Sequence, residues 1–204
     1  AEQLLKEVRF DAIRGNISEI KTLASLCGTQ EKNSGNMAVS DTMDVEKITD
    51  KSDHCGKITG IDGSGRGVDA DNADTVTEEN LAQHISNAKM LSKKLQTIVA
   101  ITGAIDLVTD GSSCYVIRNG NPQMGHVTGA GCQLSGILTA FLAANPENKL
   151  QAAAAAVCMM GYAGELAAEK SGQSGSGTYR VSLMDAVSCM DGDILERGAR
   201  YEIR

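Results

Sequence analysis

The chain has 204 residues and a formal charge of −7, with 26 acidic against 19 basic side chains. That length supplies one domain with a sizeable core and argues against two, and the acidic balance argues against nucleic acid or an anionic membrane as partner. Aromatics are scarce, with two Phe, four Tyr and no Trp, so close packing of small residues in α/β layers is expected rather than an aromatic-cored β-sandwich. The six cysteines show no C-x-x-C pair, which suits free thiols in a reducing cytosol better than disulfides or zinc. No segment reads as a membrane span or signal peptide, and the expected location is cytoplasmic.

In chain order, residues 1–6 read as the end of a helix and residues 8–13 as a strand, an abrupt start that suggests preceding segments. Ile17, Ile20, Leu23 and Ala24 follow a helical period over residues 17–26. Asn16 is a good N-cap and Glu19 stands at N3, the pattern of a capping box. Residues 28–67 turn polar and end in a glycine-dense run at 60–67. The expectation is one domain over 1–204 with a polar, flexible insertion at about 29–60, a length that suits a surface insertion or lid.

Thr75-Val76-Thr77-Glu78 carries a second capping-box signal for a helix over residues 78–95. Residues 97–101 form a short apolar run of the buried-strand kind, ending at Thr102-Gly103. Residues 106–109 and 114–118 flank an Asp110-Gly111 turn and predict a hairpin. An apolar helix is expected over 134–144, a long Ala-rich helix over 149–170, and a last helix around 183–190 followed by a short tail. Alternating strands and helices predict a mostly parallel sheet covered on both faces.

The richest segment is His126-Val127-Thr128-Gly129-Ala130-Gly131-Cys132. A glycine turn opening into a helix aims unpaired N–H groups and the positive dipole end at a ligand, which suits phosphate. Cys132 stands at that positive end, where a thiol is more easily deprotonated. Read alone, it is equally a small apolar residue at the start of a buried helix. Ligands of open parallel sheets gather at strand C-termini, where Arg14, Asn16, Glu19 and Thr102 are also expected. A cation, oxygen ligands for Mg²⁺ and an anion cradle are the parts of a phosphoryl-transfer site. The chain carries no G-x-x-x-x-G-K-[ST] loop and no protein-kinase glycine loop.

Ala12-Ile13-Arg14-Gly15-Asn16-x-Ser18-Glu19-Ile20 resembles a signature of hydroxyethylthiazole kinases, members of the ribokinase-like superfamily. Gly65-Arg66-Gly67-Val68-Asp69, Ala100-Ile101-Thr102-Gly103, Val127-Thr128-Gly129-Ala130-Gly131-Cys132 and Gly175-Ser176-Gly177-Thr178-Tyr179 match the same family in the same order. The resemblance covers nearly the whole chain apart from roughly 29–60. It implies a three-layer ribokinase-like fold whose N-terminal strands are absent from this sequence. It further implies ATP-dependent phosphorylation of 4-methyl-5-(2-hydroxyethyl)thiazole in thiamine salvage, and a homotrimer if the fold is complete.

By the same resemblance, Arg14 and Thr102 contact ATP, and Asn16 and Glu19 order Mg²⁺ through water. Gly129 contacts the thiazole, while Ala130, Gly131 and Cys132 form the anion hole, with Cys132 where related sugar kinases place an Asp base. Two positions depart from the family: Ala104 replaces a common acidic residue, and His126 replaces a common Lys, a weaker and pH-dependent charge. Hydroxymethylpyrimidine kinase and hydrate dehydratase activities are the enzymatic alternatives. A truncated or split-gene chain that binds nucleotide without turnover alone is the other.

Overall fold

The computed structural model describes residues 2–27 and 75–204. The polar stretch at 29–60, the glycine-dense run at 60–67 and the Gly65-Asp69 motif lie outside the described residues.

The described strands are β1 (Ala12–Gly15), β2 (Ile98–Ile101), β3 (Asp106–Thr109), β4 (Cys114–Ile117) and β5 (Tyr201–Ile203), paired in that spatial order. The helices are α1 (Glu2–Glu7), α2 (Ile17–Leu26), α3 (Leu81–Leu95), α4 (Ala130–Ala144), α5 (Lys149–Ser171), α6 (Ser176–Ser188) and α7 (Gly192–Gly198). Every residue of β2 and β3 is buried, because both faces of the sheet are covered. Val99, Ile101, Leu107 and Val116 face a cluster with Ile17 and Ile20 of α2 and Leu81, Ile85 and Leu91 of α3. Ile98, Ala100, Val108 and Ile117 face Leu134 and Leu138 of α4 and the alanine-rich side of α5. The alternation along each strand divides the core into these two layers, and the α/β three-layer expectation is met.

The sheet is not mostly parallel. Only β1 and β2 run parallel; β2–β3, β3–β4 and β4–β5 are antiparallel. The connections at 102–105 and 110–113 are too short for a crossover, which parallel neighbours require. In the second of these turns Gly111 has φ +91°, and Asp110 Oδ1 accepts from the Ser112 and Ser113 N–H groups at 2.8 and 3.0 Å.

Other boundaries also moved. β1 begins at Ala12 rather than Val8, because the register that buries β2 pairs Ala12 with Ile98. The Thr75–Glu78 capping box does not form. Asn80 Oδ1 accepts from the Thr77 N–H at 2.7 Å, α3 begins at Leu81, and Glu78 pairs with Arg118 at 2.8 Å. α6 starts at Ser176, where Tyr179 buries its ring and donates to the Gly164 carbonyl at 3.0 Å. The tail is ordered: Asp191 caps α7 through the Ile194 N–H at 2.8 Å, and β5 adds an edge strand. α5, at 23 residues, is by length and composition long and apolar enough to cross a membrane, contrary to the sequence reading, and two-thirds of its apolar window is buried inside the fold. The five described cysteines, 27, 114, 132, 158 and 189, are free thiols.

Gly161 lets α5 approach the loop that follows β4. A Cβ there would sit 2.7 Å from the Asn119 carbonyl oxygen, and backbone cannot swing aside as a side-chain tip can. Gly161→Ala is expected to destabilise the fold by about 1–3 kcal/mol through overpacking. Gly136→Ala, at an exposed position of α4 with nothing within 4 Å, is expected to stabilise it by up to ~1 kcal/mol through helix propensity. Opposite shifts in urea midpoints check the pair.

Candidate functional site

The parallel pairing of β1 and β2 aligns their C-terminal ends. Arg14 lies opposite Ala100, and the Thr102 N–H donates to the Gly15 carbonyl at 2.9 Å, one step past the last strand pair. Arg14 and Thr102 therefore meet above the strand ends, where Arg14 Nη1 donates to Thr102 Oγ1 at 3.3 Å. Arg14 Nε is buried without a hydrogen-bond partner.

The guanidinium lies against the first turn of α4. A Cβ on Gly131 would be 3.2 Å from Arg14 Nη1 and 3.3 Å from Nη2, so a side chain here would require the guanidinium to give way by a few tenths of an ångström. The helix begins at Ala130, four residues earlier than the sequence pattern indicated, with Gly129 as N-cap at φ +93°. That left-handed conformation is one L side chains rarely adopt. The Gln133 N–H is the first to bond four residues back, to the Gly129 carbonyl at 2.9 Å. The N–H groups of Gly131 and Cys132 precede it and project from the helix end. A guanidinium and a helix N-terminus concentrate positive charge at one point, an arrangement that an anion resolves.

Beside this point opens a cavity of about 540 Å³. Arg14, Thr102, Gly103 and Asp106 line its polar side; Met124, Leu134, Val157 and Met160 line the apolar side, and Ala130 and Gly131 meet it at the helix end. Gly129, Cys132 and His126 are not among its lining residues, and Cys132 is exposed on the first turn of α4. Ala104 lines the cavity. Asn16 and Glu19 stand at the start of α2, also beyond the C-terminal end of β1. They form the capping box that their spacing predicts: the Glu19 N–H donates to Asn16 Oδ1 at 2.8 Å, and the Asn16 N–H to Glu19 Oε2 at 2.7 Å.

Asp106 was missed as a site residue, since in sequence it only opens a hairpin strand. It is buried, lines the cavity, and accepts from the Gly103 N–H at 2.8 Å through Oδ1. Burial pushes its carboxyl up to about 7, against the opposing pull of the Gly103 hydrogen bond and the Arg14 charge. Burial, helped by Asp106, likewise pushes the Cys158 thiol up to about 12. Asn119 and Gly120, which form another wall, were also missed; their partners come from residues 165 and 200, too distant in sequence to signal the contact.

The family model described as the hydroxyethylthiazole kinase family matches residues 32–193. The chain belongs to the hydroxyethylthiazole kinase family. A hydroxyethylthiazole kinase of Clostridium acetobutylicum is 41% identical over 203 residues, covering 99% of this chain and 62% of that protein. One from Desulfovibrio desulfuricans is 33% identical, covering 99% of this chain and 61% of its own length. The chain thus spans about three-fifths of the length of these curated relatives. The solved structure of hydroxyethylthiazole kinase protein from Pyrococcus horikoshii OT3 superposes with a TM-score of 0.56 at 28% identity, covering 62% of this chain and 48% of that one. The ribokinase-like α/β fold expected from the family is therefore the fold found.

Asp106 ties stability to pH. Its folded pKa of about 7 lies above its ordinary 3.8. Between these values the folded state keeps a proton the unfolded chain has lost, so stability falls as pH rises through that window and the loss is complete above it. Asp106→Asn keeps an acceptor for the Gly103 N–H and removes the titration. Urea unfolding is expected to show the variant gaining on the parent from pH 5 to pH 8, by at most ~3 kcal/mol, since roughly two pH units separate pH 5 from the folded pKa at about 1.36 kcal/mol each. A difference that stays constant with pH would contradict this assignment.

Proposed function

We propose that this chain carries the nucleotide and catalytic side of a kinase that transfers the γ-phosphate of ATP to the hydroxyl of 4-methyl-5-(2-hydroxyethyl)thiazole. The observation that carries the reading is the Arg14 guanidinium packed on the first turn of α4 beside Thr102. That combination suits a polyphosphate, and the largely apolar cavity beside it has the size and lining of a ligand pocket.

In this reading Arg14 clamps the phosphates and Thr102 Oγ1 orients the guanidinium. The N–H groups of Gly131 and Cys132 hold the charge that develops on the migrating phosphoryl group, the kind of electrostatic preorganisation that supplies the largest share of many rate enhancements. The Ala130 N–H, expected to join them, donates instead to the Val127 carbonyl at 3.4 Å. Gly129 presents its backbone to the thiazole. Cys132, exposed on the first turn of α4, accepts the hydroxyl proton as the substrate oxygen attacks in line. By the family resemblance, related sugar kinases place an Asp at this position, and a general base typically contributes about 10²–10⁴-fold.

Among the described residues, no group of three His, Cys, Asp or Glu side chains gathers to bind a metal directly. One carboxylate and one amide, Glu19 and Asn16, suit Mg²⁺, which keeps several waters and takes few protein ligands. When bound with ATP, Mg²⁺ would neutralise the β- and γ-phosphate oxygens. The capping box fixes Asn16 and Glu19 at the strand ends, so one pair serves the helix start and the metal's water shell. A cytoplasmic setting in thiamine salvage, and assembly as a homotrimer if the complete fold is present, belong to the same proposal.

Mass spectrometry of the chain incubated with Mg-ATP and an alcohol tests the reaction. Phosphate is expected on hydroxyethylthiazole and not on hydroxymethylpyrimidine, and Cys132→Ala is expected to slow transfer by about 10²–10⁴-fold with nucleotide binding retained. Preferred transfer to the pyrimidine would assign a different ribokinase-like activity. ATP binding without transfer to either alcohol would leave a nucleotide-binding chain.

A further inference from the structure

The cavity wall at residues 118–120 is held by side chains that do not themselves line the cavity. Asn119 is buried, and the Gly120 backbone sits at φ +145°. Glu165 of α5, whose side chain is only 17% exposed, accepts four hydrogen bonds at this point. Its Oε1 takes Asn119 Nδ2 at 3.1 Å, the Gly120 N–H at 2.7 Å and Arg200 Nη2 at 2.8 Å; its Oε2 takes Arg200 Nη1 at 2.8 Å.

Arg200 completes the clamp from the C-terminal tail. Its N–H donates to Asn119 Oδ1 at 2.7 Å, its Nη2 to the Arg118 carbonyl at 2.9 Å, and its carbonyl accepts from the Arg118 N–H at 2.9 Å. Asn119 Nδ2 also donates to the Gly198 carbonyl at 2.9 Å. Both polar ends of the Asn119 side chain and the Gly120 amide are therefore committed to α5 and the tail. Arg200 is itself 55% exposed, so the hold comes from the bidentate fork and from the shielded Glu165 carboxylate with its two further donors, a geometry more fixed than a lone surface ion pair. The clamp is more than a helix-to-tail tie, because each of its bonds ends on, or beside, the backbone that walls the cavity.

We infer that Glu165 and Arg200 are positioning residues: by fixing the Asn119-Gly120 peptide from behind, they set how tightly the cavity takes its nucleotide. The affinity part rests on the nucleotide reading above; the positioning part rests on the hydrogen bonds alone. The tail, which sequence patterning left as a trailing segment, is then a working part of the site.

The experiment pairs amide hydrogen exchange with ATP titration on the full chain and its variants. Glu165→Gln keeps one acceptor for the Gly120 N–H and cannot accept from both arms of the guanidinium. Exchange is expected to rise at Gly120 and its neighbours while β2, β3 and α4 stay protected. The dissociation constant for ATP is expected to rise by about tenfold, the scale of one or two polar contacts. Arg200→Ala is expected to do the same, and Arg200→Lys, which can still hold one carboxylate oxygen, to recover most of the affinity. Exchange that rises evenly across the sheet, or ATP affinity unchanged while Gly120 is deprotected, overturns the inference. A parent chain that binds no ATP overturns the nucleotide reading itself, and the exchange at Gly120 then decides the positioning claim alone.

Discussion

A guanidinium pressed against the positive end of a helix is unfavourable by itself, and the site is organised around that juxtaposition. Arg14 cannot move away: β1 is registered to β2, its side chain is tethered to Thr102 Oγ1, and its Nε is already buried. The first turn of α4 cannot withdraw either, since Leu134 and Leu138 anchor the helix in the core. Glycine at 131 admits the guanidinium, and glycine at 129 provides the left-handed N-cap from which the helix starts. An anion is the natural resolution of so much convergent positive charge. Asp106, the buried carboxyl in the same cavity, is pushed toward neutrality by burial and so does not fully supply it.

The layers serve this arrangement. The parallel β1–β2 pair supplies the two strand ends that carry Arg14 and Thr102, and the antiparallel meander through β3 and β4 turns the chain back beneath the cavity. α5, rich in alanine and glycine, lies close enough to bring Val157 and Met160 to the apolar wall and Glu165 to the clamp on Asn119. Small residues on α5 thus do two things, dense packing under the sheet and close approach to the wall loop at Gly161.

What could be read from sequence was whatever local chemistry determines. Asn16 and Glu19 announce a capping box because both partners lie within one turn, and the structure forms it. The apolar run in β2 and the Asp110-Gly111 turn were legible for the same reason. Arg14, Thr102, Ala130 and Gly131 were named from motifs, and the fold brings them to one cavity. The errors came where distant groups outcompete local ones. Glu78 abandons a local cap for Arg118, forty positions away. The tail folds as α7 and β5 because β4 offers it an edge. Asp106 and Glu165 carried no signal, since burial and partners brought by the fold give them their character.

The central claim is that the α4 N-terminus and Arg14 together receive a polyphosphate. A ¹⁵N–¹H correlation titration of the chain with Mg-ATP, with adenosine in the same Mg²⁺ buffer as the uncharged counterpart, tests it most directly. The account predicts that ATP moves the amides of Gly129, Gly131, Cys132 and Gly103 and the Arg14 side-chain resonance, and that adenosine leaves the helix-end amides in place. Equal shifts from both ligands, or ATP shifts confined to residues away from α4 and Arg14, would contradict it.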